Sequence, residues 1–365
     1  MPDARPIRVL HVFGVMNRGG AEMRTVEVLH ESDRGRVALE FCVLSGLTGT
    51  LDDEIREQGS MVHRCRLDAT FVPRFVALLR RRKIDVVHSH VHLATGFTLA
   101  VARLAGVRSR IAHFRSTGDE RGGSMARRGY RTLMRQLLDR NATQILGVAA
   151  GVLDRAWSPA WRDDPRCRVV YNGIDSARFF DATARSSLRA ELGVAGTAPV
   201  IVQVARFDVL KNQPFAVDVL AQVPGAQLVF VGRSGVGLEE TRRRALQHGV
   251  GARVHFVGER TDVPRYLCGA DLSILTSTHE GLPGAVLESL AAGTPVVASD
   301  LPGVREIAAA VGGVRVHGFD VARWASSVRE LLAARRDPTL RARFATSPFS
   351  LLAATAALTE AWERR

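Results

Sequence analysis

The stretch "ADLSILTSTHEGLPGAVLESLAAGTPVVASD", residues 270–300, decides the fold of this chain. Its first eight residues, 270–277, have the length and apolar character of a buried strand, and so does "TPVVASD" at 294–300. Between them a Gly-Leu-Pro-Gly turn opens a helix that ends at "LAAG". This order predicts a parallel βαβ unit, with Glu280 just beyond the carboxyl end of the first strand.

The same alternation of strand and helix runs through both halves of the chain. We predict strands at 7–14, 37–45, 84–90, 109–116 and 144–150, and then at 198–206, 226–232, 252–258, 270–277 and 294–300. Helical periodicity lies between them, for example over about 21–30, near 51–58 and over 94–106. The pattern predicts an α/β fold made of two Rossmann-like domains with parallel sheets. Because ligands of such sheets bind beyond the carboxyl ends of the strands, we expect the domains to face each other across a cleft that holds the site.

The joint between the domains falls near "RVVYNGIDSARFF" (168–180), where a strand ends in an Asn-Gly turn. We therefore divide the chain into a first domain at 1–172, a second domain at 173–348 and a final helical segment at 349–365. That segment places its apolar side chains on one stripe, and we expect it to pack back on the first domain. The stripe consists of Leu351, Ala354, Leu358, Ala361 and Trp362.

Composition indicates a globular cytosolic protein. The 365 residues are 46% hydrophobic and 24% charged, and no run of 18 uncharged apolar residues could span a bilayer. The first residues lack the pattern of a signal peptide, and the four cysteines have neither metal nor redox spacing. The net charge of +13 would suit a nucleic-acid partner. However, only two of the 50 basic residues are lysines, so the charge indicates an arginine-biased composition. We expect no nucleic acid to bind.

Two cations and two acids carry the chemistry. Arg206 ends the strand at 198–206 and Lys211 follows five residues later, so the two can neutralise a diphosphate. The amides at the start of the helix after residue 283 favour an anion as well. Glu280 and Glu288 frame that helix start, and carboxylates accept hydrogen bonds from the paired hydroxyls of a sugar or a ribose. Ordinary solvated turns with surface acids would explain each feature alone.

Three histidines in "VVHSHVH", His88, His90 and His92, alternate at a predicted strand end. They could bind a metal or simply line the cleft, and we expect lining and no metal. The sequence also contains no Asp-x-Asp pair, which would commonly bridge a metal to a diphosphate.

Five segments together resemble the retaining glycosyltransferases of family 4, also called group 1, which have the GT-B fold. The signature "HEGLPGAVLESLAAGTPVVASDLPGVREI" (279–307) is similar to that family's E-x7-E segment. The other four are "ARFDVLKN" (205–212), "VVYNGIDSARF" (169–179), "LHVFGVMNRGGAE" (10–22) and the segment 256–277. The motifs keep the family's order over essentially the whole chain.

The resemblance implies a role for each matching residue. The catalytic set would be Arg206, Lys211, Glu280 and His113, the last in "IAHFRS". The donor-binding set would be Gly19, Gly20, Gly232, Arg260, Val263, Gly281, Leu282, Pro283, Gly284, Ala285 and Glu288. The cations would bind the diphosphate, Glu288 the ribose, and Glu280 and His113 the transferred sugar. The base would lie against the loop around residues 260–263, and the first domain would bind the acceptor.

The implied reaction moves a hexose from a UDP- or GDP-sugar to a sugar or lipid-linked acceptor with retention of configuration and without a metal. It would serve polysaccharide or glycolipid synthesis. A nucleotide-sugar epimerase of the same architecture stays open as an alternative. A dinucleotide oxidoreductase is disfavoured, since Gly14-x4-Gly19-Gly20 lacks the G-x-G-x-x-G spacing.

Residues 121–138 form a basic stretch. Five arginines and no acid occupy residues 121–135, and the apolar side chains recur at helical spacing. The apolar set is Tyr130, Leu133, Met134, Leu137 and Leu138. This pattern fits an amphipathic helix resting on an anionic membrane, and it fits equally a helix that packs on its own domain with a solvated arginine face. We expect a cytoplasmic protein. If the helix rests on a membrane, the contact would be peripheral and at the inner face of the cell membrane.

Overall fold

The computed structural model describes residues 5–117 and 124–364. The first three residues of the predicted basic stretch, 121–123, lie outside the described residues, as do the predicted domain ends at 1–4 and 365. The chain divides into two compact units, which are described separately. Unit 1 comprises Met1–Gly173 and Leu351–Arg365, and unit 2 comprises Ile174–Ser350.

Unit 1 contains a parallel sheet that has seven strands among the described residues. The strands are β1 (Ile7–Phe13), β2 (Val37–Val43), β3 (Val62–Arg64), β4 (Val86–Ser89), β5 (Ser109–Phe114), β6 (Gln144–Gly147) and β7 (Cys167–Val169). Their order is β3-β2-β1-β4-β5-β6-β7. The connecting helices are α1 (Gly20–Glu31), α2 (Asp52–Glu57), α3 (Phe71–Arg81), α4 (Ala94–Leu104), α5 (Met125–Asn141) and α6 (Ala150–Ala156).

The last helix of the chain, α15 (Leu351–Glu363), belongs to unit 1. It packs against α1 and β1, and its Leu358, Ala361 and Trp362 are buried in the core of that unit. The side chain of Gln144 donates a hydrogen bond of 2.7 Å to the carbonyl oxygen of Ala361. The helix is therefore part of the first unit's hydrophobic core.

Unit 2 repeats the plan with a parallel sheet of six strands among its residues. The strands are β8 (Val200–Val204), β9 (Gln227–Val231), β10 (Val254–Gly258), β11 (Leu272–Leu275), β12 (Val296–Ser299) and β13 (Val314–His317). Their order is β10-β9-β8-β11-β12-β13. The helices are α7 (Ala184–Leu192), α8 (Gln213–Ala221), α9 (Leu238–Gln247), α10 (Val263–Gly269), α11 (Gly284–Ala291), α12 (Pro302–Val311), α13 (Val321–Ala333) and α14 (Leu340–Ala345).

These sheets confirm the prediction of two Rossmann-like α/β halves. In each sheet the second and third strands are added on one side of the first strand, and the fourth strand is added on its other side. As a result β1 lies beside β4, and β8 lies beside β11. We call these two places the switch points of units 1 and 2. In sheets of this kind, the loops that follow the two central strands diverge at the switch point and leave a crevice in which ligands bind.

All four cysteines are free, as expected, and Cys42, Cys65 and Cys167 are buried. Among the described residues, no helix combines the length and the apolar character that crossing a bilayer requires.

Candidate active site

An ion pair occupies the switch point of unit 2. Lys211 lies in the loop after β8 and Glu280 in the loop after β11, and Lys211 Nζ is 2.5 Å from Glu280 Oε1. The hydroxyl of Ser277 donates to the same carboxylate oxygen at 2.9 Å. The two charged side chains are 21% and 17% exposed, so they are largely desolvated but still reachable from solvent. The structure thus brings these two predicted residues together.

A buried polar network holds the loop of Lys211 on β11. Gln203 of β8 donates from Nε2 to Thr276 Oγ1 at 2.9 Å, and Thr276 Oγ1 donates to the carbonyl oxygen of Lys211 at 2.8 Å. Asn212, directly after the lysine, adopts a left-handed conformation with φ 48°. Because asparagine tolerates this conformation better than most residues, the sequence itself fixes the sharp turn that aims Lys211.

Arg206 lies on the same loop but reaches into solvent. Its side chain is 59% exposed and its NH2 group is 3.1 Å from Asp208 Oδ2. The carbonyl oxygen of Arg206 accepts a 2.8 Å hydrogen bond from Gln213, which fixes the backbone and leaves the side chain to move. An exposed ion pair of this kind contributes little stability, so an anionic ligand could displace Asp208 at small cost.

Helix α11 begins without a side-chain cap, because its N-cap residue is Pro283. The first amides of a helix have no intrahelical acceptor and carry partial positive charge, which suits an anion. The predicted residues Gly281, Leu282, Gly284 and Ala285 form this turn together with the proline. Glu288 lies on the second turn of α11, half-buried, so both predicted glutamates belong to the same strand-to-helix connection.

Gly232 ties three loops together at the carboxyl edge of the sheet. Its φ is +155°, and a Cβ there would lie 2.0 Å from the carbonyl oxygen of Ala205. Its amide donates to the carbonyl oxygen of Gly258 at 2.8 Å. Only glycine allows the loops after β8, β9 and β10 to approach this closely.

Arg260 lies on the loop after β10, two strands away from β8, and Val263 is the first residue of α10, which follows that loop. Arg260 Nε donates to Asp262 Oδ1 at 2.9 Å, and its guanidinium lies 5.5 Å from the centre of the Tyr266 ring. Hydrogen bonds from Arg260 and Arg265 outweigh burial and lower the pKa of Asp262 to about 2. The loop is therefore held by its own ion pairs, apart from the pair at the switch point.

The predicted residues of unit 1 are Gly19, Gly20 and His113. Gly19 is the N-cap of α1 and Gly20 its first residue, and a Cβ on Gly20 would meet no atom within 4 Å. Gly20 is therefore open to close approach, whereas a Cβ on Gly19 would lie 2.4 Å from Oε2 of Glu22, whose carboxylate lies against this helix start. His113, near the end of β5, is 3% exposed and belongs to a cluster of four imidazoles.

The histidine cluster comprises His11, His88, His90 and His113 at the switch point of unit 1. His11 and His88 are paired across β1 and β4 by register. His92, which sequence analysis grouped with His88 and His90, lies apart, because the chain has left the strand and turns there with φ 47°. His11 was missed, since one histidine in an apolar strand gives no local signal.

Burial keeps this cluster neutral. Desolvation lowers the pKa of His11 to about 3 and the pKa values of His88, His90 and His113 well below their usual range. The partly buried Arg115 adds to this effect, and desolvation lowers its own pKa to about 10.

His11, His88 and His90 each offer a ring nitrogen within 4.8 Å of the others, which is close enough for a metal ion. The chemistry of the surroundings opposes one. Arg115 Nε donates to His90 Nδ1 at 3.3 Å, so a dication would face a guanidinium with no carboxylate among the three ligands. The absence of a metal stays a prediction.

Helix α5 divides its predicted apolar stripe between two environments. Met134 and Leu138 are buried against the unit, whereas Tyr130 and Leu133 are 48% and 52% exposed. A cavity of about 1010 Å³ lies beside this helix. Among its lining residues are Phe114, Arg127, Arg131, Arg135, Leu138 and Trp157. The helix thus packs on its own unit with part of the stripe and shows the rest to solvent.

Two family models match this chain, one in each unit. Residues 184–347 match the family "Glycosyl transferases group 1", and residues 19–173 match "Glycosyl transferase 4-like domain". The capsular polysaccharide biosynthesis glycosyltransferase CapH of Staphylococcus aureus is 26% identical over 342 residues, which cover 90% of this chain and 92% of CapH.

A second relative is the GDP-mannose-dependent monoacylated alpha-(1-6)-phosphatidylinositol monomannoside mannosyltransferase of Corynebacterium glutamicum. It is 30% identical over 280 residues, which cover 73% of this chain and 71% of the relative. Among solved structures, Anabaena Alr3699/HepE in complex with UDP superposes with a TM-score of 0.81 at 19% identity, over 97% of this chain and 98% of HepE. The chain therefore belongs to the group 1 family of glycosyl transferases and has the GT-B type of fold.

Proposed function

We propose that this glycosyltransferase moves a hexose from a UDP- or GDP-sugar to an acceptor hydroxyl with retention of configuration. The observation that carries the proposal is the pair of Lys211 and Glu280 at the switch point of unit 2, beside the uncapped start of α11. A sugar diphosphate requires positive groups for its phosphates and an acceptor for its hydroxyls. Lys211 and the first amides of α11 supply the former, and Glu280 supplies the latter.

The donor's diphosphate lies on Lys211, Arg206 and the first amides of α11. A phosphate oxygen near Lys211 Nζ competes with Glu280 for the ammonium, which frees the carboxylate to accept hydrogen bonds from the sugar's hydroxyls. Glu288 accepts hydrogen bonds from the ribose, and the base lies against Arg260 and the start of α10 at Val263. In unit 1, we assign Gly19 and Gly20 to donor binding and His113 to a hydrogen bond with a sugar hydroxyl.

Charge development decides the rate. As the bond between the sugar and the diphosphate breaks, negative charge grows on the leaving phosphate. Lys211 and the start of α11 stabilise that charge, and Arg206 adds to this stabilisation once it leaves Asp208. These groups supply positive potential without a metal. The acceptor attacks from the face that the diphosphate leaves, and the departing phosphate takes the acceptor's proton. No protein nucleophile is needed.

The relatives support a role in polysaccharide or glycolipid assembly, because CapH is named for capsular polysaccharide synthesis and the Corynebacterium enzyme for a phosphatidylinositol mannoside. HepE, whose solved complexes contain UDP and UDP-glucose, supports a nucleotide-sugar donor. Since the curated relatives are glycosyltransferases, they do not favour an epimerase.

Product analysis tests the proposal. The protein is incubated with UDP-glucose, UDP-galactose, UDP-N-acetylglucosamine or GDP-mannose and a panel of octyl glycosides as soluble acceptors. We expect release of nucleoside diphosphate, and a product whose anomeric coupling in the NMR spectrum matches that of the donor. Inverted product would contradict retention. Conversion of the donor to an isomeric nucleotide sugar without acceptor would show an epimerase.

We also propose that α5 contacts an anionic membrane at the cytoplasmic face. Met125, Tyr130 and Leu133 are 80%, 48% and 52% exposed, on a helix that carries arginines at 127, 128, 131, 135 and 140. Exposed apolar side chains among arginines suit the boundary between lipid headgroups and acyl chains.

Co-sedimentation with vesicles that contain phosphatidylglycerol tests this contact. We expect pelleting at low salt that weakens at high salt and is lost in Leu133→Asp. Leu104→Asp is the matched control, because Leu104 is 65% exposed on α4. No pelleting of the wild-type protein at low salt would contradict the contact.

A further inference from the structure

Two chains of hydrogen bonds run through the histidine cluster. In the first, the indole N–H of Trp362 on α15 meets His88 Nδ1 at 3.1 Å, and His88 Nε2 lies 3.0 Å from His113 Nδ1. In the second, Arg115 Nε meets His90 Nδ1 at 3.3 Å, and His90 Nε2 lies 3.0 Å from His11 Nδ1. Both chains begin at a group that can only donate.

The starting donor fixes every proton along the chain. An indole N–H has no lone pair to accept with, so His88 Nδ1 must accept and therefore carries no proton. A neutral imidazole holds one proton, which places it on His88 Nε2, from where it is donated to His113 Nδ1. His113 then carries its own proton on Nε2. The rings are neutral because burial lowers their pKa values.

Each chain ends on a buried ring nitrogen without a partner among the described residues, His113 Nε2 in the first and His11 Nε2 in the second. A buried N–H without an acceptor costs free energy, so its retention needs a reason. A donor whose direction and tautomer are set in advance is what a ligand hydroxyl or carbonyl oxygen would use.

We infer that Trp362 and His88 are positioning residues that hold His113 in the Nε2–H tautomer, so that it presents a fixed hydrogen-bond donor to the sugar. The use of that donor rests on the proposed function, whereas the tautomer itself does not. Helix α15 thereby contributes to the site through the core: Trp362 is fully buried and packs edge-on against His11 at 5.6 Å.

The tautomer is measured by long-range proton–nitrogen NMR on protein labelled with ¹⁵N-histidine, in which the protonated and unprotonated ring nitrogens give separate signals. Signals of the 11 histidines are assigned by single substitutions. We expect Nε2–H for both His113 and His11 in the wild-type protein. Trp362→Phe should make His113 a mixture of tautomers. It should leave His11 unchanged, since the tautomer of His11 is set by Arg115 through His90.

Kinetics separates positioning from structure. Trp362→Phe should lower kcat by about three- to tenfold, the loss of one hydrogen bond, with KM for the donor unchanged. His88→Gln should keep both the rate and the His113 tautomer, because its amide can accept from Trp362 and donate to His113. Trp324→Phe is the matched control, since Trp324 is equally buried, in unit 2, and donates to the carbonyl of Gly318.

Several results would overturn the inference. They are an Nδ1–H tautomer of His113 in the wild-type protein, an unchanged His113 signal in Trp362→Phe, or an equal change at His11 and His113. If Trp362→Phe does not fold, the tautomers of the wild-type protein and of His88→Gln decide. A wild-type protein with the expected tautomer but no sugar transfer would refute the proposed function and leave the tautomer assignment standing.

Discussion

The two switch points occupy the same place in two sheets of the same plan, yet their chemistry is opposite. In unit 2 a lysine and a glutamate pair at 2.5 Å and remain partly open to solvent. In unit 1 four imidazoles are buried, neutral and linked by hydrogen bonds. The fold therefore decides where a ligand can approach, and the side chains decide whether that edge presents charge or a fixed neutral donor.

The largest expected effect that sharpens this comparison is acid destabilisation of unit 1. The folded pKa values of the four histidines lie below those of the unfolded chain, near 6.5. Their contribution to stability is complete above pH 6.5 and is lost as the pH falls below it, because the unfolded state binds protons that the folded state cannot. The free energy of unfolding should fall by about 1.4 kcal/mol per pH unit for each histidine.

Urea denaturation at several pH values between 7.5 and 5 measures this slope. His11→Gln should reduce it, with His30→Asn on the exposed face of α1 as the reference for an exposed histidine. Carboxylates lose their contribution to stability only at lower pH. For Glu40, burial raises the pKa, but hydrogen bonds from His63 and Arg82 outweigh it and lower the pKa from 4.5 to about 2. The contribution of Glu40 is therefore lost only below pH 4.5. Constant stability between pH 6.5 and 5 would contradict the neutral cluster.

Removal of the cation at the other switch point should mainly affect the reaction. In the proposed donor site, Lys211→Ala removes the ammonium that stabilises the leaving phosphate and should lower kcat/KM by about 100-fold. Steady-state kinetics with the active donor measures the loss. Lys83→Ala is the control, since Lys83 is the only other lysine in the sequence. A loss below threefold would mean that the diphosphate lies elsewhere.

A smaller effect is expected at Glu288. Glu288→Gln keeps the shape of the side chain but weakens its hydrogen bonds to the ribose, which should raise KM for the donor about tenfold and change kcat little. The surface variant Glu239→Gln, at a side chain that is 83% exposed, should leave both constants unchanged. An equal fall in kcat at unchanged KM would place Glu288 against the reacting sugar instead.

The sequence predicts the strands well because their signals are local. The apolar run at 270–277 contains β11, and the alternation of such runs with helices indicates parallel sheets. Lys211 stood out because lysine is rare in this chain, but its meeting with Glu280 depends on β8 lying beside β11, which no local pattern reveals. The resemblance to the family assigned both residues to donor binding but did not predict the ion pair.

The histidine cluster shows where local reasoning fails. Alternation grouped His88, His90 and His92, but it could not show that β4 ends at Ser89 and that only the first two belong to the cluster. The pairing of His11 with His88 is set by the register between β1 and β4, and the bond from Trp362 joins residues 274 positions apart in sequence. Such contacts arise from tertiary packing.

The most direct test of the central claim, that the charged switch point binds a nucleotide diphosphate, is thermal stability in the presence of UDP, GDP, ADP and dTDP and their sugars. A ligand at about 100 times its Kd stabilises the folded protein by about 2.7 kcal/mol. We predict an increase in Tm with uridine or guanosine nucleotides that is lost in Lys211→Ala and retained in Lys83→Ala. No increase with any nucleotide, or an equal increase in both variants, would contradict the account.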